Sequence, residues 1–458
     1  MSTDLLQSHS DISAYYPFRS NQSHITTSST NPRSAAQEQA SQPVRFIPVE
    51  PETLADTGLN EHELEALVLK SLLKRGTISG RGISESLHLP RPILQQPLER
   101  LRAELMIGIK GSSGLEDFVF QLTEAGFDRA RRENQQCSYV GSAPVPLETY
   151  LAAIAEQSLQ SSQLDVQKLK EAFRELRLSD VLLSQLGQAI NDGRGMFLYG
   201  TPGNGKTSLS ELVVSAYGEF IWIPRTITID GELVRLYDPR SHEAVAVTEL
   251  ENVRHDRRWI LIRRPTIVVG GELTMAQLDL QFNPSTGISE APVQLRANGG
   301  ALVVDDFGRQ RMPTSELLNR LIVPMEKNHD YLNLSSGRQV SVPFDMLLVF
   351  STNLEPSDLV DEAFLRRIPY KIEVSGPTRE EFVTLFQELA TKAGCQCEQA
   401  AVHYLLDTHY QATKRPLRFC HPRDLLRQIR NYCEFHKQPL AVSNETLDVA
   451  VRNYFAGL

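Results

Sequence analysis

The sequence predicts an α/β fold: a three-layer αβα core, a helical segment after it, and a small helix-rich domain in front. Three observations predict the core. Met196-Phe197-Leu198-Tyr199 is an apolar run that breaks at a glycine-rich loop, after which Leu209, Leu212 and Val213 form a helical stripe. Ala301-Leu302-Val303-Val304 is a second apolar run, ending in Asp305-Asp306. Leu347-Leu348-Val349-Phe350 is a third, ending in Ser351-Thr352-Asn353. Short apolar runs that stop at polar groups are the pattern of buried strands delivering their C-terminal ends to one crevice.

Taken in chain order, residues 1–57 open with Ser, Gln, Asn, Thr and Pro and show no period, which predicts a disordered tail. Residues 58–133 read as a domain. GLNEHELEALVLKSLLKRG places Leu64, Leu67, Val68 and Leu72 on one helical face. GRGISESLHLP gives a short second helix and RPILQQPLERLRAELM a third, in which Pro97 is expected to cause distortion. IGIKGSSGLEDFVFQLTEAG then reads as strand, Gly/Ser turn, strand and helix start. This element order is similar to a winged helix-turn-helix domain. Residues 134–173, with Pro144 and Pro146 followed by a Gln/Ser-rich helical stretch to about residue 170, predict a linker, a long flexible connection.

The core is expected over residues 174–375. Arg174 to Ile190 is amphipathic and leads into the loop; Asp230-Gly231 marks a tight hairpin in a β-rich stretch from 219 to 275; and RRWILIRRPTIVVGG gives two strands broken at Pro265. Residues 376–458 read as helices, a candidate lid.

The loop from Gly200 to Ser208 carries the most specific chemistry. Gly200-Thr201-Pro202-Gly203-Asn204-Gly205-Lys206-Thr207 satisfies G-x-x-x-x-G-K-[ST], the phosphate-binding loop pattern. Its glycines let successive N–H groups curl into an anion nest, and the following helix adds positive charge at its N-terminus. Lys206 is expected to reach the β- and γ-phosphates of ATP, and the Thr207 hydroxyl to take a position on Mg²⁺. Asp305 is placed to hold that metal, through water, and Asp306 to orient or deprotonate an attacking water. Asn353 can bond the γ-phosphate or the water. Asp361 to Ile368 ends a helix with Arg366 and Arg367, and His421-Pro422-Arg423-Asp424 opens another with an arginine in its first turn.

A net charge of -9 argues against bulk nucleic-acid coating and against a basic membrane-surface protein. No run approaches the ~20 apolar residues of a membrane span. The start lacks a basic-then-apolar signal pattern, and Cys137, Cys395, Cys397, Cys420 and Cys433 are loosely spaced. The expected compartment is the cytoplasm, with reduced thiols.

The order GTPGNGKT, ALVVDDFG, LLVFSTN, AFLRR, HPRDLL resembles the AAA+ ATPases across about residues 174 to 458. The stretch from ANGGALVVDDFGRQ to LLVFSTN is similar to the branch with a hairpin before the first sensor strand, which includes magnesium-chelatase, MoxR-type and enhancer-binding ATPases. With its front domain, the chain is most similar to predicted chaperone-type ATPases linked to Flp pilus assembly. The resemblance implies that Lys206 and Thr207 are the Walker A pair, Asp305 the Walker B metal residue and Asp306 the catalytic base. It implies Asn353 as the first sensor, Arg366 or Arg367 as a finger reaching a neighbour's ATP, and Arg423 as the second sensor. Most relatives carry Glu where this chain has Asp306, and the shorter side chain leaves slow hydrolysis, or a silent scaffold, open.

The resemblance also implies a homo-oligomeric ring, six subunits in the family. The leading expectation is an ATPase that remodels a protein partner docked on residues 58–133. The alternative is an ATP-switched DNA-binding regulator or loader. From residue 59 to 133 eleven Lys/Arg balance eleven Asp/Glu, where a DNA reader is usually basic, so protein docking is favoured. The hairpins around Asp230-Gly231 and Ser336-Gly337 are candidates either for facing a ring pore or for widening subunit contacts.

Overall fold

The computed structural model describes residues 46–114, 117–159, 164–174, 176–245 and 254–456. The tail expected over 1–57 lies outside these residues up to 45. From Phe46 onward the chain is packed: the Phe46 ring lies 5.7 Å from that of Trp259, and Leu54–Thr57 is a capped helical turn.

The core is a five-stranded parallel sheet of β1 (Met196–Tyr199), β2 (Thr266–Val269), β3 (Ala301–Val304), β4 (Leu347–Thr352) and β5 (Tyr370–Glu373). Their order across the sheet is β2-β3-β4-β1-β5. Side chains alternate between faces, so each strand feeds two cores. Met196, Leu198, Val303 and Val349 face helices Asp180–Asp192 and Lys206–Val213 through Leu186, Ile190 and Val213. Phe197, Leu302, Val304 and Phe350 face helix Thr314–Lys327 through Leu317 and Leu321. Each of these side chains, fully buried, contributes about 1.5–3 kcal/mol. The three-layer expectation matches this arrangement.

The front segment runs helix Glu61–Arg75, strand Thr77–Ser79, helices Gly80–Leu87 and Arg91–Ala103, strands Ile107–Ser112 and Phe118–Leu122, and helix Glu124–Gln136. Helix Arg91–Ala103 runs unbroken through Pro97, against the expected distortion. The sequence reading missed Thr77–Ser79, which pairs with Phe118–Leu122 and makes the hairpin three-stranded.

Over 134–173 the expected helical stretch is present, as Leu147–Glu156 and Val166–Ala172, but the expected flexibility is corrected. Val145–Pro146 is a strand parallel to Thr226–Ile229, and helix Leu147–Glu156 buries Leu147, Tyr150 and Ile154 among Ile221, Ile227, Val234 and Ile262. The physical reason is a largely apolar helix whose Leu147, Tyr150 and Ile154 complete the core beneath the β-rich insertion. In that insertion Asp230 and Gly231 both take left-handed φ, 50° and 83°, as a tight Asp-Gly hairpin requires.

The front segment is therefore clamped to the insertion. Arg258, paired with Asp256 at 2.8 Å and 2 % exposed, donates to the carbonyls of Thr57 (2.8 Å) and Pro144 (3.1 Å). Arg257 donates to the Leu89 carbonyl, and Ile288 joins the front segment's own core. Arg258→Ala would leave the Asp256 carboxylate buried without its counter-charge. It is expected to destabilise the protein by about 3 kcal/mol, read from chemical denaturation, against less than about 1 kcal/mol for the exposed Arg263→Ala.

Candidate functional site

Three adjacent strands position the site. In the order β3-β4-β1, the residues leaving each C-terminal end are Asp305, Asn353 and the phosphate loop. Gly200 has φ 131°, and a Cβ there would fall 2.7 Å from the Val374 carbonyl, so the loop turns off β1 only with glycine at that place. Gly203 and Gly205 also take positive φ, and Lys206 opens the helix. Asn204 braces the turn: its amide donates to Thr201 Oγ1 at 2.9 Å and to the Val374 carbonyl at 3.3 Å. Pro202 and Ser208 are exposed on the loop and the first helical turn.

The side chains predicted from separate motifs meet. Lys206 Nζ donates to Asn353 Oδ1 at 2.7 Å and to the Gly200 and Thr201 carbonyls at 2.8 and 3.2 Å. Asn353 Nδ2 donates to Asp306 Oδ1 at 3.2 Å. Thr207 Oγ1 donates to Asp305 Oδ2 at 3.1 Å. Burial holds the Lys206 amine below the usual lysine range; Asp305 and Asp306 oppose that shift and Arg418 adds to it. Asp306 sits at φ 47°, a left-handed conformation that Asp and Asn enter more readily than other side chains.

The Thr207 hydroxyl and Asp305 carboxylate present two hard oxygens to one point. That donor set fits Mg²⁺, which takes one or two protein oxygens and fills its remaining positions with water and phosphate.

The arginines lie elsewhere. Arg366 donates to Glu362 at 2.8 Å; Arg367 donates to Glu326 at 2.8 Å and to the Ala363 carbonyl. None of these partners belongs to the loop. Arg423 points along its own helix to Asp424 at 3.3 Å and is 67 % exposed.

The sequence reading missed the segment that closes over the loop. The Cys420 N–H donates to the Gly203 carbonyl at 3.0 Å, and the Phe419 N–H to Asn204 Oδ1 at 3.4 Å. Two glycines permit this approach: a Cβ at Gly203 would fall 2.5 Å from Cys420 Sγ, and one at Gly376 would fall 2.3 Å from the Leu417 carbonyl. The only local signal was the arginine five positions before Arg423, which no motif spacing singles out.

His421, next along, is 3 % exposed and bonds the Tyr410 hydroxyl through Nδ1 at 2.9 Å. Burial, helped by Arg418 and opposed by Asp424, pushes its pKa down to about 4. The unfolded chain protonates this ring near pH 6.5 and the folded one near 4, so stability is full above 6.5 and is lost as pH falls toward 4. Wild type is expected to lose roughly 2 kcal/mol more than His421→Asn between pH 6.5 and 4.5, measured by denaturation at each pH.

Comparison with known proteins adds little. A family described as a domain of unknown function, DUF8689, matches residues 378–453, the C-terminal helical segment. No curated protein sequence matches the chain. Among solved structures, the chain is similar to RuvB of Thermotoga maritima, titled a Holliday junction branch migration motor, at 14 % identity and a TM-score of 0.36. That match covers 63 % of this chain and 73 % of RuvB. It is also similar to NtrX from Brucella abortus at 15 % identity and a TM-score of 0.39, over 72 % of this chain and 67 % of that one. At such distances the function has to be argued from the site's own residues.

Proposed function

We propose that this chain is an AAA+ ATPase that hydrolyses ATP to ADP and phosphate, acts as a ring of copies, and remodels a protein held by residues 58–133. The observation that carries the reading is the junction of three separately predicted motifs. Lys206 bonds Asn353, Asn353 bonds Asp306, and Thr207 bonds Asp305, all at the C-terminal ends of neighbouring parallel strands.

In the proposed mechanism, loop N–H groups and Lys206 hold the β- and γ-phosphates, the ammonium exchanging its protein acceptors for phosphate oxygens. Mg²⁺, held by Thr207 and Asp305, would neutralise phosphate charge. Asp306, steadied by the Asn353 amide, takes the proton of a water that attacks the γ-phosphorus, while the bond to the ADP oxygen breaks. Arg366 and Arg367, whose partners lie outside their own loop, are suited to a neighbour's. Arg366 is the better finger, because its exposed pair with Glu362 is weak, whereas Arg367 has two partners.

The front segment's charge supports a protein partner over DNA. Arg100 is paired with Glu61, Glu65 and Glu104, and Arg129 with Glu65 and Glu104, so these cations are already neutralised within the fold. Beside them a groove between helix Arg91–Ala103 and the hairpin is floored by Leu94, Leu98, Ile109 and Phe118. Among the described residues no helix is long and apolar enough to cross a membrane.

ATPase rate and molecular mass, measured together with and without ATP, test the reading. Hydrolysis that rises with protein concentration, alongside a nucleotide-dependent increase in mass, is the expected result. A monomer hydrolysing at a concentration-independent specific rate would remove the ring, and a chain that binds no nucleotide would remove the whole proposal.

A further inference from the structure

Most cations around the phosphate loop are committed to protein partners. Lys206 has three acceptors, Arg423 has Asp424, and Arg415 lies over the Phe455 ring at 3.7 Å and donates to the His409 carbonyl. Arg418 differs. Its Nε is buried with no acceptor, and among the described residues its guanidinium makes no hydrogen bond and no ion pair.

Its position is fixed from both sides. The Leu417 carbonyl lies against Gly376, while the Phe419 and Cys420 N–H groups are bonded to Asn204 and Gly203. The side chain therefore starts from backbone tethered to the loop, and its Cδ lies 3.6 Å from where a Cβ of Gly203 would stand. A guanidinium is always charged and presents a planar fork that matches phosphate oxygens. A buried donor without an acceptor is costly, and the remedy for this one is an anion at the loop.

We propose that Arg418, rather than Arg423, is the arginine of the C-terminal helical segment that binds the terminal phosphates of the nucleotide. This rests on the phosphate-loop reading above and adds a residue to that site. Arg418 and Lys206 are both cations held at the same loop, one against Gly203 and the other opening the helix after it, and an anion between two cations is attracted by both. Because the arginine comes from the helical segment and the lysine from the sheet domain, phosphate held by both would join the two, so nucleotide state would set how firmly the segment is docked.

The test is titration of the full chain with fluorescent ATP and ADP analogues. Arg418→Ala is expected to weaken ATP binding roughly tenfold to a hundredfold and to weaken ADP less, the scale of losing charge-assisted hydrogen bonds to phosphate. Arg418→Lys, which keeps the charge without the fork, should fall between the two and decides the matter if the alanine variant fails to fold. Arg423→Ala should weaken ATP less than Arg418→Ala. ATP affinity unchanged in Arg418→Ala, or a larger loss in Arg423→Ala, overturns the inference. Lys206→Ala separates the two levels: if it binds ATP as the wild type does, the phosphate-loop reading itself is wrong. If it loses ATP while Arg418→Ala does not, only the Arg418 assignment falls.

Discussion

Lys206→Ala is expected to reduce ATP affinity on the order of 10³-fold, which places binding beyond ordinary detection. An ammonium inside a phosphate loop makes charge-assisted bonds to two phosphates in a site partly shielded from water, where each bond is worth more than at an open surface. Lys206 is 7 % exposed, so little solvent screens it. The substitution removes charge without removing the loop's shape, since Gly200, Gly203 and Gly205 and the Asn204 brace hold the turn independently of the lysine. Its structural cost is the loss of a donor to Asn353 and to the Gly200 and Thr201 carbonyls, three partly buried bonds on residues that are themselves half-buried or exposed. A variant with wild-type thermal stability and no ATP binding is the expected result, read by titration with a fluorescent analogue. Retained affinity would mean that the loop holds something other than a nucleoside triphosphate.

Much of this site was legible because its parts are written locally. An apolar strand with polar residues at its end can be read from a handful of letters, and parallel pairing then forces those ends together. β1, β3 and β4 met this condition, and their terminal residues converged without any long-range signal being read. The Asp230-Gly231 hairpin and the strand break at Pro265 were legible for the same reason, each resting on a backbone preference of one or two residues.

What failed was information stored in contacts between distant segments. Val145–Pro146 is two residues long, and nothing local announces that it pairs with Ile227 and Thr228. Tyr150 and Ile154 lie four apart in a helix that was legible as a helix, but the Gln- and Ser-rich run that follows it from Gln157 gives no sign that its apolar face is buried against a distant insertion. Arg418 is a single charged letter whose meaning depends on two glycines far away, Gly203 and Gly376, having no side chains. The same dependence overturned the idea of a loosely tethered front domain. Arg258 spans three segments, and only a folded chain shows that one side chain holds them together.

Asp306→Asn is expected to leave ATP and Mg²⁺ binding in place while slowing hydrolysis on the order of 10³-fold, the scale of losing a positioned general base. The structure makes this a clean substitution. Asp306 stands at φ 47°, where asparagine is tolerated as well as aspartate, and an amide oxygen can still accept from Asn353 Nδ2. What disappears is the ability to take a proton from water. Asp305→Asn should act differently, raising the Mg²⁺ concentration needed for half-maximal activity, because Asp305 Oδ2 accepts from the Thr207 hydroxyl, the other oxygen proposed to hold the metal, while its Oδ1 accepts the Asp306 backbone N–H and leaves the Asp306 carboxylate to Asn353. The left-handed backbone also supplies a physical reason for aspartate here, since a longer side chain enters that conformation less readily. Asp306→Glu, one methylene longer, is expected to sustain hydrolysis, its extra reach toward water offsetting that strain. Rates at varied Mg²⁺ for the three variants decide the assignment. Identical behaviour of the two asparagine variants, or a rate collapse in Asp306→Glu, would show that the two carboxylates do not divide metal and proton between them.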